Sequence, residues 1–258
     1  TTEAWGGGLW VHGVLQLHGK IMFNRCIAES SVVQQSGGGG AFLNDGLNTS
    51  KGAQITLNNC SALGAAFGGG LSSNRDVNIS AGARIAVNNC TASNAGGGMW
   101  TNTDVNVEGD ATFYNCSASH GGGLASGNGG CNISAGARIA FNNCNAADWG
   151  GGMYTNTDVN VEGDATFYNC QSHWGGGWRS ESFNILPGGS VAFQRCKAGQ
   201  HGGGIYSGKE GGNSRKTNPR VMTGAKMTFD NCRAGRAGGG IHHRSVSGEM
   251  AVSFERDS

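Results

Sequence analysis

The sequence predicts an all-β protein, a parallel β-helix of three-strand coils stacked about eight to nine high. Three observations point there. Three consecutive glycines recur nine times, beginning at Gly6, Gly38, Gly68, Gly96, Gly121, Gly150, Gly175, Gly202 and Gly238. Between them runs a second phrase, an apolar residue, two variable residues and Cys, ending at Cys26, Cys60, Cys90, Cys116, Cys144, Cys170, Cys196 and Cys232 with spacings of 34, 30, 26, 28, 26, 26 and 36 residues. That period is too short for a propeller blade of about 40 to 45 residues and suits one coil of short strands. Third, no segment carries an apolar face at helical spacing over the ~10 to 12 residues a helix needs, and the glycine triplets would break one.

The unit from Gly96 to His120 shows the elements in order. A first strand follows the triplet, as in Gly98-Met99-Trp100-Thr101. A second is Val105-Asn106-Val107, and a third is Ala111-Thr112-Phe113, divided from it by the turn Glu108-Gly109-Asp110. Each coil rises by one strand spacing, ~4.8 Å, so the stack is a rod on the order of 40 Å long. Like then sits over like. Leu9, Leu71, Met99, Leu124, Met153 and Ile205 form one inward ladder; Phe23, Leu57, Val87, Phe113, Phe141, Phe167, Phe193 and Phe229 form another. Eight of the nine Cys share one slot, and stacked Cβ atoms ~4.8 Å apart are too far apart for the ~3.8 Å of a disulfide, so free buried thiols are expected.

Composition narrows the function. With 37% apolar and 14% charged residues among 258, the chain reads as one folded solenoid domain, 1–258. A net charge of +1 gives no electrostatic argument for nucleic acid, and no apolar run approaches the ~18 residues that cross a bilayer. No cofactor motif is present, the glycine triplets lack the Asp of a calcium nonapeptide, and no metal-ligand spacing occurs. Thr101 to Cys116 is identical to Thr155 to Cys170, and Asn78 to Ala86 to Asn132 to Ala140, both at an offset of 54 residues. A two-coil module copied in this way fits a lengthened surface better than a unique active site.

The Gly-Gly-Gly-(Leu/Met/Ile) and Phe-x-Asn-Cys phrases resemble the polymorphic outer membrane protein type of repeat, GGA[ILV] paired with FxxN, here with Gly for Ala and Cys in the slot of the final Asn. The likeness covers nearly the whole chain. It implies a right-handed parallel β-helix of adhesin or passenger type, secreted or on a cell surface.

Alternation along the first strand points the second residue after each triplet outward. With the rings beside the triplets this gives an expected exposed aromatic and glycine stripe of Trp10, Phe42, Trp100, Tyr154, Trp178, Tyr206, Trp149 and Trp174. The structural alternative is that these rings stack on one another and cover a corner. The excursion from Ser207 to Lys226, with Lys209, Arg215, Lys216 and Arg220, is expected to be a protruding basic loop for an acidic partner, or simply solvated. The sequence therefore points to a non-enzymatic structural or interaction rod binding protein or glycan, adhesin-like or a scaffold subunit, with end-to-end or larger-assembly contacts at its ends. The competing class is a carbohydrate-active enzyme, a polysaccharide hydrolase or lyase, using Asp76, Asp104 or Asp158 as paired carboxylates.

Overall fold

A computed structural model describes residues 6–30, 37–208, 219–244 and 251–252. Among them every strand pairing is parallel and there is no helix. The strands build a β-solenoid of four sheets, two with nine strands and two with eight. The first sheet holds the strands after the triplets, such as Met99–Thr101; the second holds Val105–Val107 and its equivalents, the third Asp110–Tyr114 and its equivalents. The fourth, absent from the three-strand expectation, begins just after each Cys, as in Ser117–His120 and Gln171–Trp174. Its strands place Ala or Ser between polar residues and so lack the apolar alternation that reveals the other three.

Register matches the expected ladders. Val87, Phe113, Phe141, Phe167, Phe193 and Phe229 pair in succession, as do Leu71, Met99, Leu124, Met153, Trp178 and Ile205. Rings from Phe113 to Phe193 stack at 4.7–5.0 Å between centroids, within 12° of parallel. Offset stacking of this kind adds to area burial, which is why one ring type repeats at this slot.

Each residue of a triplet excludes a side chain for a different reason. Gly96 sits at φ 65°, a region L residues avoid. A Cβ on Gly97 would collide with the carbonyl oxygens of Gly122 in the next coil and Ser117 of the fourth-sheet strand. A Cβ on Gly98 would lie 2.7 Å from Cδ1 of Phe113. The triplet is therefore where the backbone of the fourth sheet presses on the backbone of the first.

The corner between the third and fourth sheets is equally specific. The residue before each ladder Cys has φ of 51–56°, in the left-handed region; six of the eight are Asn, which tolerates it best after Gly, and the other two are Arg25 and Arg195. That turn aims the Cys inward. All nine thiols are free. Each ladder thiol above the lowest donates weakly to a carbonyl two residues back and to one in the coil below, as Cys170 does to Tyr168 O and Phe141 O, both at 3.6 Å. Burial pushes the Cys170 thiol well above its ordinary range, and pushes Cys131 up to about 12. The ladder is a small apolar core column with a weak donor.

A further column runs outside. Asn48, Asn78, Asn106, Asn132, Asn160 and Asn184, one per second-sheet strand, link amide to amide at 2.7–2.9 Å. Each amide hydrogen bond contributes roughly 1 kcal/mol net and fixes coil register from the solvent side.

Candidate functional site

The fourth sheet changes the fate of the aromatic stripe. Second-position residues of the first sheet do leave the core, but they enter an inside corner roofed by the rings that end the fourth-sheet strands. Phe67 lies 4.8 Å from Trp100, His120 5.5 Å from Tyr154, and Trp149 and Trp174 lie 5.9 and 5.3 Å from Tyr206. Phe42 and Tyr206 are 1% exposed, and Trp100 is buried too. Trp178 is the first residue after its triplet, points inward, and is 0% exposed between Phe167, Phe183 and Phe193. Of the expected stripe, only Trp10 is well exposed; Trp149, Tyr154 and Trp174 are half-buried. The expectation of a continuous exposed stripe is corrected accordingly. Alternation gave the direction, and an unforeseen strand supplied the cover.

This corner holds a buried cation. The Arg179 guanidinium lies 5.1 Å from the Trp149 ring and 5.0 Å from the Tyr154 ring, and its Nη1 donates to Thr155 O and to Asn156 Oδ1, each at 3.2 Å. Ring faces and carbonyls stand in for a carboxylate. Burial pushes His120 below its ordinary range against the pull of Asp148, 4.0 Å away. Arg179→Ala should lose about 2 kcal/mol from the cation–π and charged hydrogen bonds. Arg179→Met, keeping the volume, should lose less than half as much, because replacing a buried charge by packing removes its desolvation cost. Urea unfolding of the two variants checks the order.

The other sequence-derived candidates are scattered. Asp104 Oδ1 accepts the Gly130 N–H at 2.8 Å and Asp76 Oδ1 accepts the Asp104 N–H at 3.2 Å, so both carboxylates tie one coil to the next. Burial, then Glu181, pushes the Asp158 carboxyl above its ordinary range. Arg220 is not in a loop: it opens the strand Arg220–Val221 and pairs with Asn184. Lys209, Arg215 and Lys216 lie outside the described residues. Among the described residues no group of three or more His, Cys, Asp or Glu could hold a metal ion, and no helix is long and apolar enough to cross a membrane.

The open face of the third sheet carries what the sequence reading passed over. Each of its strands is five residues long; the second and fourth side chains fill the core, and the first, third and fifth face solvent. Stacking turns these into three rows. The first-position row reads Arg84, Asp110, Arg138, Asp164, with Arg84 Nε 3.4 Å from Asp110 and Arg138 Nε 3.7 Å from Asp164. The middle row reads Ala86, Thr112, Ala140, Thr166. The fifth-position row reads Asn88, Tyr114, Asn142, Tyr168, with Tyr114 49% and Tyr168 37% exposed.

Charged and small rows line an open depression of about 570 Å³. Small floor residues make it; long residues on the charged side wall it. It is built twice, from Arg84, Ala86, Asp110 and Thr112 and again from Arg138, Ala140, Asp164 and Thr166, with Tyr114 and Tyr168 two residues beyond Thr112 and Thr166 on the same strands. The two Tyr therefore recur at two strand spacings, ~9.6 Å. Tyr168 alone is braced, its hydroxyl 3.2 Å from Arg195 Nη1. The signal was present in the segments repeated at an offset of 54 residues, read through first, third and fifth strand positions.

No protein-family profile matches the chain, and neither the curated proteins nor the solved structures compared with it include a similar one.

Proposed function

We propose that this protein is a non-enzymatic recognition rod that binds an extended partner, protein or glycan, along the open face of its third sheet. The observation that carries this reading is the doubled cell of Arg, Asp, Ala and Thr across one depression, with an exposed Tyr beside each half. A single active site has no need of two identical halves, whereas a polymer presents the same chemistry again one step further on. Asp76 and Asp104, engaged by backbone N–H groups, support the non-enzymatic side of the reading over a carbohydrate-active enzyme. The likeness of the repeat phrases to polymorphic outer membrane protein repeats supports an adhesin-like role.

The test is a glycan and peptide array probed with the full chain, with Tyr114→Ala/Tyr168→Ala, and with Trp149→Ala/Trp174→Ala. Captured partners should weaken at least about fivefold with the Tyr pair, on the order of 0.5–1.5 kcal/mol for each aromatic contact, and stay within about twofold with the Trp pair. The reverse order would return the site to the aromatic corner.

A further inference from the structure

We infer that the occupant of this groove is a neutral, linear β-1,4-linked glycan lying along the solenoid axis, one sugar per coil and one disaccharide per two-coil cell. The inference rests on the third-sheet face being the recognition surface, and four features of that face select the ligand.

The first is charge. Arg84 is paired with Asp110 and Arg138 with Asp164, so two cations and two carboxylates neutralise one another along the row. A polyuronide or an acidic peptide would meet as many like charges as opposite ones. Neutral hydroxyl groups meet an alternating row of fork-shaped donors and two-oxygen acceptors, each able to make paired hydrogen bonds.

The second is the absence of a free backbone edge. From Arg84–Asn88 to Ser190–Gln194 every strand of this sheet pairs on both sides. An extended peptide binds a sheet chiefly by adding a strand to an edge, and this face offers none. A sugar ribbon needs no main-chain partner.

The third is the alternation itself. Over the four strands from Arg84–Asn88 to Asp164–Tyr168 all three rows change residue type at every coil: Arg with Asp, Ala with Thr, Asn with Tyr. Successive residues of a β-1,4-linked hexopyranose chain are turned over relative to one another, and the chain advances per sugar by nearly one strand spacing, ~4.8 Å. A ribbon that repeats every second sugar meets a wall that repeats every second coil.

The fourth is the rim. Tyr114 and Tyr168 both stand exposed on the same side of a floor of Ala and Thr, two coils apart, giving every second sugar a ring for its C–H face.

Titration calorimetry of the full chain with cellohexaose, chitohexaose and maltohexaose tests this. One of the two β-1,4 hexaoses should bind, with affinity climbing from disaccharide to tetrasaccharide, and maltohexaose should not. Tyr114→Ala/Tyr168→Ala should weaken binding at least about fivefold. Ala140→Phe, which fills the floor between Thr112 and Thr166, should abolish it. Hexaose binding that survives both variants overturns the inference, since the sugar then lies elsewhere. If neither β-1,4 hexaose outbinds maltohexaose while an array partner still depends on the Tyr pair, the glycan assignment falls and the groove stands. If array partners ignore the Tyr pair, both fall.

Discussion

Gly122→Ala is expected to cost about 4 kcal/mol or more, placing it among the exceptional single substitutions. Gly122 is the middle glycine of its triplet, and its φ lies outside the left-handed region, so backbone conformation is not the obstacle. The obstacle is space. A Cβ there would collide with the carbonyl oxygens of Asn145 and Gly151. Neither can retreat, because the strand Asn145–Trp149 is held on both sides by Ser117–His120 and Gln171–Trp174, and Gly151 N–H bonds Gly175 O at 3.2 Å. Overpacking that only flexible side chains must absorb costs about 1–3 kcal/mol; two rigid backbones raise that. The control is Gly136→Ala, at φ 79° with no atom within 4 Å of the added carbon, which should cost only the roughly 1–2 kcal/mol of left-handed backbone. Denaturant unfolding followed with hydrogen exchange suits a repeat array whose coils open locally. Equal losses for the two variants would mean that the fourth sheet does not press on the triplets.

Phe141→Ala comes next, with an expected loss of about 3–5 kcal/mol. The ring is fully buried, stacked at 5.0 Å on Phe113 and 4.8 Å on Phe167, in the middle of the column. Its neighbours belong to rigid coils that cannot close on the void, so the cost should fall in the upper half of that range. The same ring explains the third glycine of the triplet that opens its own coil, because a Cβ on Gly123 would sit 2.5 Å from Phe141 Cδ1. Gly123→Ala should therefore cost less when Phe141 is already Ala, by on the order of 1 kcal/mol in a double-mutant cycle. Strict additivity would separate the two slots and contradict their contact.

Much of this architecture could be read from the chain because a stacked fold writes its ladders as periodic residues. The Phe, Leu/Met and Cys columns are legible at one glance down the repeats, and Val105, Cys131 and Val159 align as the repeat spacing requires. The fourth strand was not legible, because Ser117-Ala118-Ser119-His120 and its equivalents carry no apolar face for a core; Ala118 packs instead in a small Ala cluster with Ala62, Ala66 and Ala92. Missing that strand sent Phe42, Trp100 and Tyr206 to the surface in expectation, when all three are buried, Trp100 in an apolar cluster with Ala95 and Ala125 and Tyr206 against Trp149 and Trp174. The groove escaped for a related reason. Arg84, Asp110, Arg138 and Asp164 become neighbours only across coils, some 26 to 28 residues apart in the chain.

The copied pair of coils also bears on how such a chain changes over generations. Because both ends of the 54-residue segment fit any neighbour of the same kind, unequal exchange between the two copies of its coding sequence would lengthen or shorten the protein by whole cells without exposing a core. Every added cell would carry its own Arg, Asp, Thr and Tyr. Retention of a long polymer would then be adjusted by counting, with avidity growing by cells added and no new contact invented.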